Sequence, residues 1–201
     1  LVHHIITEQS RLLQIDISGS YRNYFSHKSS VVAASKYRDG LLWSEENNGR
    51  WATYYQENRS TKRIKLLDGS VSKIRRQGDY YYYSLPGDSH LYYFQYSGET
   101  INSNSAAQLE KVRLATSKAW DLDGKNIFFM SSGTLQNKSQ INSYNLVSQQ
   151  LQTVVSVNDV KTYNDLSFSL DTELHQFYYS QVDRFQQDIA LISFSKNKAL
   201  D

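Results

Sequence analysis

One short phrase recurs along the chain, and it restricts the available folds more than any other feature. A tight turn is followed by a run of aromatic and aliphatic residues. Asp39-Gly40 precedes Leu41-Leu42-Trp43-Ser44, and Gly87-Asp88 precedes Leu91-Tyr92-Tyr93-Phe94. Asp123-Gly124 precedes Ile127-Phe128-Phe129-Met130, and Asp171 to His175 precede Phe177-Tyr178-Tyr179-Ser180. Aligning Trp43, Tyr93, Phe129 and Tyr179 gives spacings of about 50, 36 and 50 residues, near the period of four-stranded propeller blades. The repeat predicts an all-β chain, a β-propeller of about four to five blades with four antiparallel strands each. The expected blades are residues 1–24 (partial), 25–70, 71–115, 116–158 and 159–201, as one domain that stands as an incomplete part of a larger propeller. Propellers host enzymes, receptors and scaffolds alike, so the repeat settles architecture and leaves function open.

Composition supports this reading. The chain has 16 Tyr, 8 Phe and 3 Trp, residues that suit half-buried pleated surfaces. Charged residues make up 21% with a net charge of +2. Phosphate recognition needs a concentrated basic surface, so no direct nucleic-acid contact is expected. There is no cysteine, which excludes disulfides, thiolate metal sites and cysteine nucleophiles. No run approaches the ~18 apolar residues of a spanning helix. The chain opens on Leu1-Val2-His3-His4-Ile5-Ile6 without a Met or a basic-then-apolar leader. That opening resembles the middle of a strand, and the expectation is an excised piece of a longer protein.

Strand signals run the whole length. Leu13-Gln14-Ile15-Asp16-Ile17 alternates and stops at Ser18-Gly19-Ser20. Val31 to Ala34, Leu41 to Ser44, Trp51 to Tyr55 and Ile64 to Leu67 make one four-strand blade, with Glu46-Asn47-Asn48-Gly49 as a hairpin turn. Tyr80 to Ser84 and Leu91 to Tyr96 flank a turn at the sole proline, Pro86. Glu99 to Gln108 is expected to be a long surface loop. Ile127 to Met130, Ile141 to Leu146 and Leu151 to Val157 build the next unit, and Leu166 to Ser169, Phe177 to Val182 and Ile189 to Phe194 the last. Ala106 to Ala115 has weak helical spacing without a cap, and the chain is taken as β throughout.

Enzyme signatures are missing: no Gly-x-Ser-x-Gly elbow, no Gly-rich phosphate loop and no His-Glu-x-x-His. No catalytic residue, cofactor or metal is therefore expected. Asp121 and Asp123 sit at a turn, where Asp bonds nearby backbone. His3 and His4 point to opposite faces of a strand, and His27, His90 and His175 are scattered. Lys62-Arg63-Ile64-Lys65 and Lys73-Ile74-Arg75-Arg76 resemble solvated outer edge strands, where charge discourages edge-to-edge pairing. Tyr80-Tyr81-Tyr82-Tyr83 offers either core packing, two residues per face, or an aromatic ligand platform.

Two phrases carry a family resemblance. Ala119-Trp120-Asp121-Leu122-Asp123-Gly124-Lys125-Asn126-Ile127-Phe128-Phe129 is similar to the repeat of PD40-type (WD40-like, TolB-like) propellers. Phe177-Tyr178-Tyr179-Ser180-Gln181-Val182-Asp183-Arg184-Phe185, followed by Asp188-Ile189-Ala190-Leu191-Ile192, resembles the closing phrase of such propellers in ToxR/CadC-type membrane-anchored winged-helix transcriptional regulators. Ser44-Glu45-Glu46-Asn47-Asn48-Gly49-Arg50-Trp51 resembles their turn between second and third blade strands. The usual Ser-Pro-Asp-Gly turn is degraded at Leu85-Pro86-Gly87-Asp88 and at Ser169-Leu170-Asp171-Thr172. The resemblance implies a periplasmic sensor or interaction domain, attached to the membrane only through an upstream helix outside this chain. An unknown protein or small-molecule signal would be its partner, and edge strands of an open ring would offer a homodimer contact. Two other readings stand beside it: a TolB-like periplasmic scaffold unrelated to transcription, and an accessory propeller of a hydrolase. Gln181, Asp183, Arg184 and Asp188 are the candidate interaction residues; an Asp and Arg beside a hairpin also suit a charge-assisted bond that pins the turn.

Overall fold

The computed structural model describes residues 2–6, 9–15, 21–27, 30–37, 40–57, 60, 62–102, 104–132, 139–157, 167–171, 173–174, 176–183 and 186–193. Side chains of 2–27, 36–37, 132 and 181–193 fall outside that description. Every regular element among the described residues is a strand. The strands are β1 (Val2–Ile6), β2 (Gln9–Ile15), β3 (Tyr21–His27), β4 (Val31–Tyr37), β5 (Gly40–Asn47), β6 (Arg50–Glu57) and β7 (Arg63–Asp68). They continue with β8 (Lys73–Gln77), β9 (Tyr80–Ser84), β10 (His90–Gln95), β11 (Ile101–Asn102) and β12 (Ala107–Arg113). The last are β13 (Trp120–Asp123), β14 (Asn126–Ser132), β15 (Ser139–Asn145), β16 (Leu151–Val157), β17 (Phe168–Asp171), β18 (Gln176–Asp183) and β19 (Gln186–Ser193).

These strands form five sheets: β1-β2-β3, β4 to β7 with β11 outside β7, β8-β9-β10-β12, β13 to β16, and β17-β18-β19. Successive strands pair antiparallel, as β5 with β6, β14 with β15 and β18 with β19 do. Asn48 and Gly49 both take positive φ, 53° and 75°, as a two-residue hairpin turn requires; they join second to third strand, as the sequence phrase implied. The chain divides into two compact units, Leu1–Pro86 with Tyr92–Ala107, and Gly87–Leu91 with Gln108–Asp201.

In the first unit, Leu42, Tyr55, Leu66 and Leu67 of one sheet meet Ile74, Tyr81, Tyr83 and Phe94 of the next, with Val71 between. Each such side chain removed from water contributes about 1.5–3 kcal/mol. Tyr81 stacks on Phe94 with centroids 5.2 Å apart, and Tyr83 on Tyr92 at 5.6 Å. In the second unit, Ala119, Phe128, Met130 and Ile141 pack on Phe168, Phe177 and Tyr179. Burial pushes the Tyr179 phenol above its ordinary pKa. It does so more strongly for Tyr83, with Tyr92 adding to the rise.

The register corrects the alignment of the repeat. Trp43, Phe129 and Tyr179 lie on second strands, but Tyr93 lies on β10, a third strand. Gln77 pairs with Tyr80 as Asp123 pairs with Asn126, so the equivalent residue is Tyr83. The corrected spacings are about 40, 46 and 50 residues, more even than before. The turn that matches Asp123-Gly124 is Gln77-Gly78, where Gly78 has φ 58° and Gly124 has φ 52°. The error arose because second and third strands here are both aromatic and both buried.

Two further expectations change. The basic cluster Lys73 to Arg76 is no outer edge: β8 is the first strand of its sheet, beside β4 and β5, with Ile74 fully buried. The stretch Glu99 to Gln108 is not a plain loop either. Ile101 and Asn102 pair in parallel with Leu67 and Asp68, and Thr100 Oγ1 donates to the Lys65 carbonyl at 3.1 Å. That segment covers the outer edge of β7.

Candidate functional site

Among the described residues, buried polar side chains fall in two groups, Ser44, Glu45 and Thr53 on β5 and β6, and Asp121, Asn126, Ser139, Asn142 and Ser143 on β13 to β15, with Ser84 on β9. Trp43 and Glu45 are two residues apart on β5 and share a face, as alternate strand residues must. The Glu45 carboxylate is 2% exposed. It accepts the Trp43 indole N–H at 2.9 Å and Arg63 Nη1 at 3.0 and 3.2 Å. Tyr54 lies opposite Trp43 in register and stacks on it at 5.7 Å, with the Arg63 guanidinium 5.4 Å above the Tyr54 ring. A carboxylate removed from water this far must be paired, and indole and guanidinium provide that pairing. Arg63 is 43% exposed on its side chain and carries the cluster's charge to the surface.

On the opposite face a neutral relay ties the link between two sheets. Val71 N–H donates to Ser44 Oγ at 3.3 Å, and Ser44 and Thr53 hydroxyls meet at 2.7 Å. Thr53 Oγ1 donates to the Gly69 carbonyl at 3.0 Å, so the Ser44 hydroxyl donates to Thr53. Ser35 Oγ, on β4, donates to the Ile74 carbonyl of β8 at 3.1 Å. Nearby, the Arg76 guanidinium stands 5.5 Å from the Tyr55 centroid and 5.2 Å from that of Tyr81.

The second unit has its own tie. Asp121, 6% exposed, accepts Leu122 N–H at 3.0 Å and Leu170 N–H at 3.4 Å. Its carboxylate thus joins β13 to β17, rather than only capping the Asp123-Gly124 turn. Next to Leu170 lies a cleft of about 400 Å³ lined by Ser169, Leu170, Asp171, Glu173 and Tyr178. Its polar groups are partly committed: Asp171 Oδ1 accepts Glu173 and Leu174 N–H at 3.0 Å, and the Tyr178 hydroxyl donates to Gln176 at 2.6 Å.

Three of the four sequence candidates follow this cleft in sequence: Gln181 and Asp183 on β18 and Asp188 on β19. Gln181 stands opposite Asp188 in register, and Asp183 opposite Gln186. Arg184 lies outside the described residues, as do the side chains of the other three. The tyrosine run is core: Tyr81, Tyr82 and Tyr83 are buried, and Tyr80 is 41% exposed beside Tyr93 at 6.3 Å. His90 Nδ1 meets Asp88 Oδ1 at 2.6 Å within the β9–β10 turn. His3, His4, His27 and His175 have no described side chains. Among the described residues no three His, Cys, Asp or Glu gather as a metal site. Sequence reasoning missed Glu45 with Arg63 and Asp121 with Leu170. The only available signal was an acidic residue inside an apolar strand run.

No protein-family model matches the chain, and no curated protein does. Solved structures do. A chain of a nidogen/laminin complex matches at 8% identity and TM-score 0.63, over 91% of this chain and 70% of that one. A TolB protein from Agrobacterium tumefaciens matches at 14% identity and TM-score 0.61, over 92% and 66%. The AfRom2 CNH domain matches at 10% identity and TM-score 0.51, over 96% and 60%. This chain thus spans less than two thirds of the length of the latter two. Such identities establish likeness of fold: four-stranded antiparallel sheets arranged as β-propeller blades. None of these matches links the chain to ToxR/CadC-type regulators.

Proposed function

We propose that this chain is a binding module built on a β-propeller, without catalytic activity of its own. The observation that carries the reading is the use made of its buried carboxylates. Glu45 is spent on Trp43 and Arg63, and Asp121 on Leu122 and Leu170; both hold strands in place. Recognition is then left to surfaces, such as the polar cleft beside Leu170. A chain of similar fold occurs within a nidogen/laminin complex, and the likeness there is of fold alone.

The finer part of the proposal is that the module is the periplasmic sensory portion of a membrane-anchored transcriptional regulator. The closing phrase Tyr179-Ser180-Gln181-Val182-Asp183-Arg184 supports it. The full-length gene product is expected to carry a winged helix and one apolar helix before this region. A gene product with a cleaved secretion leader and no winged helix would replace the regulator by a TolB-like scaffold. An adjoining hydrolase domain with its own nucleophile would make the chain that enzyme's accessory propeller.

A further inference from the structure

Outer strands are protected unequally along this chain. β7 carries Arg63, Lys65 and Asp68, and β11 covers it. β12 carries Glu110, Lys111 and Arg113, all exposed. β16 reads Leu-Gln-Thr-Val-Val-Ser-Val, with no charge, proline or glycine. Among the described residues it pairs with β15 alone. Leu151 is 47% exposed, and Gln152, Thr153 and Ser156 are exposed as well. Native proteins guard such edges with charge, because a neutral β-branched strand with an open edge recruits another strand.

We infer that β16 is the pairing edge of a homodimer, joined antiparallel to β16 of a second copy. A two-fold axis sets a strand against itself. Centred on Val154, it places Leu151 opposite Val157, Gln152 opposite Ser156 and Thr153 opposite Val155. Apolar residues then face apolar or β-branched ones, an amide faces a hydroxyl, and no charge is opposed. The same operation on β12 would set Glu110 against itself, and like charges directly opposite are destabilising. The second copy is therefore the occupant that β16 suits and that its charged counterpart refuses. This deepens the binding-module reading and rests on it, with assembly as the module's output.

A single paired strand buries less than the ~1,200 Å² of a standard interface, so association is weak, with a dissociation constant between about 1 μM and 1 mM. Sedimentation equilibrium of the 201-residue chain should show a monomer–dimer equilibrium in that range. The double variant Gln152→Lys with Ser156→Lys places like charges across the axis and should weaken the dimer at least tenfold. Gln152→Lys with Ser156→Glu places opposite charges there and should restore it. Circular dichroism confirms that each variant is folded. A wild-type chain that stays monomeric at about 1 mM, or two variants that dimerise equally well, overturns the inference. Either result leaves the gene-product test above untouched.

Discussion

The β4–β7 and β13–β16 sheets solve one packing problem with different chemistry. Tyr37 pairs with Gly40 where Asp123 pairs with Asn126, so Trp43 corresponds to Phe129 and Glu45 to Ser131. Opposite Trp43 stands Tyr54; opposite Phe129 stands Asn142. In the first sheet the polar contact is ionic, a buried carboxylate held by Arg63 and an indole. In the second it is neutral. Asn142 Nδ2 donates to Ser131 Oγ at 2.8 Å, and Thr153 Oγ1 donates to Asn142 Oδ1 at 3.0 Å. A blade needs the face filled and its polar atoms paired, and either set does that. They should differ in what each tolerates.

The largest expected difference comes from removing one partner. Arg63→Ala leaves the Glu45 carboxylate buried with the Trp43 N–H alone, at a cost of about 2–4 kcal/mol; exposure of Arg63 favours the lower end. Urea unfolding followed by tryptophan fluorescence measures it. Adding Glu45→Gln removes the stranded charge and should recover part of the loss. A cost below about 0.5 kcal/mol would reduce the ion pair to surface decoration and end the contrast.

Asn142→Ala is the matching cut in the other sheet. It removes the acceptor of the exposed Thr153 hydroxyl, which water replaces, and the donor to Ser131, at a cost of about 0.5–1.5 kcal/mol. Thr153→Val should cost less, since Asn142 keeps its bond to Ser131. If Asn142→Ala proves costlier than Arg63→Ala, the neutral ladder is the stronger device and the comparison inverts.

The second strands β9 and β18 carry Tyr83 and Tyr179 at the position of Trp43 and Phe129. Both phenols are raised above the ordinary value of 10.0, chiefly by burial. Below that pH both are neutral whether folded or unfolded, and they give no pH slope. Above it the unfolded chain loses these protons and the folded one retains them, so stability falls as pH rises. Thermal unfolding between pH 8 and 11 should show a decline starting near the ordinary tyrosine range. Tyr83→Phe should flatten it more than Tyr179→Phe. Equal slopes in wild type and Tyr83→Phe would mean that water reaches Tyr83.

These positions also show what the sequence disclosed. Turn residues and aromatic runs were legible because glycine and strand alternation act locally: Asn48-Gly49 and Gly124 stand where their φ values require. The place of Tyr83 was not, because assigning a strand to second or third position needs its pairing partner, which lies elsewhere in the chain. β11 was hidden for the same reason, as two residues pairing across a separation of over thirty leave no period to read. Of the two readings open for the tyrosine run, core packing holds for Tyr81, Tyr82 and Tyr83. Glu45 was invisible because its partner Arg63 lies 18 residues away, inside a cluster that resembled a solvated edge.

Salt provides the finest discrimination between the two sheets. Between about 0.1 and 1 M the screening length falls from about 10 to 3 Å. The Arg63–Glu45 pair, 3.0 Å apart with Arg63 partly in water, should lose a few tenths of a kcal/mol. The ladder of Ser131, Asn142 and Thr153 carries no charge and should lose nothing. Salt also alters apolar burial throughout the chain, so the useful quantity is a difference between variants. The gap in stability between wild type and the Arg63→Ala, Glu45→Gln double variant should narrow as salt rises. The gap between wild type and Asn142→Ala should stay constant. If the first gap is also constant, hydrogen-bond geometry rather than charge holds Glu45, and the two sheets use the same chemistry after all.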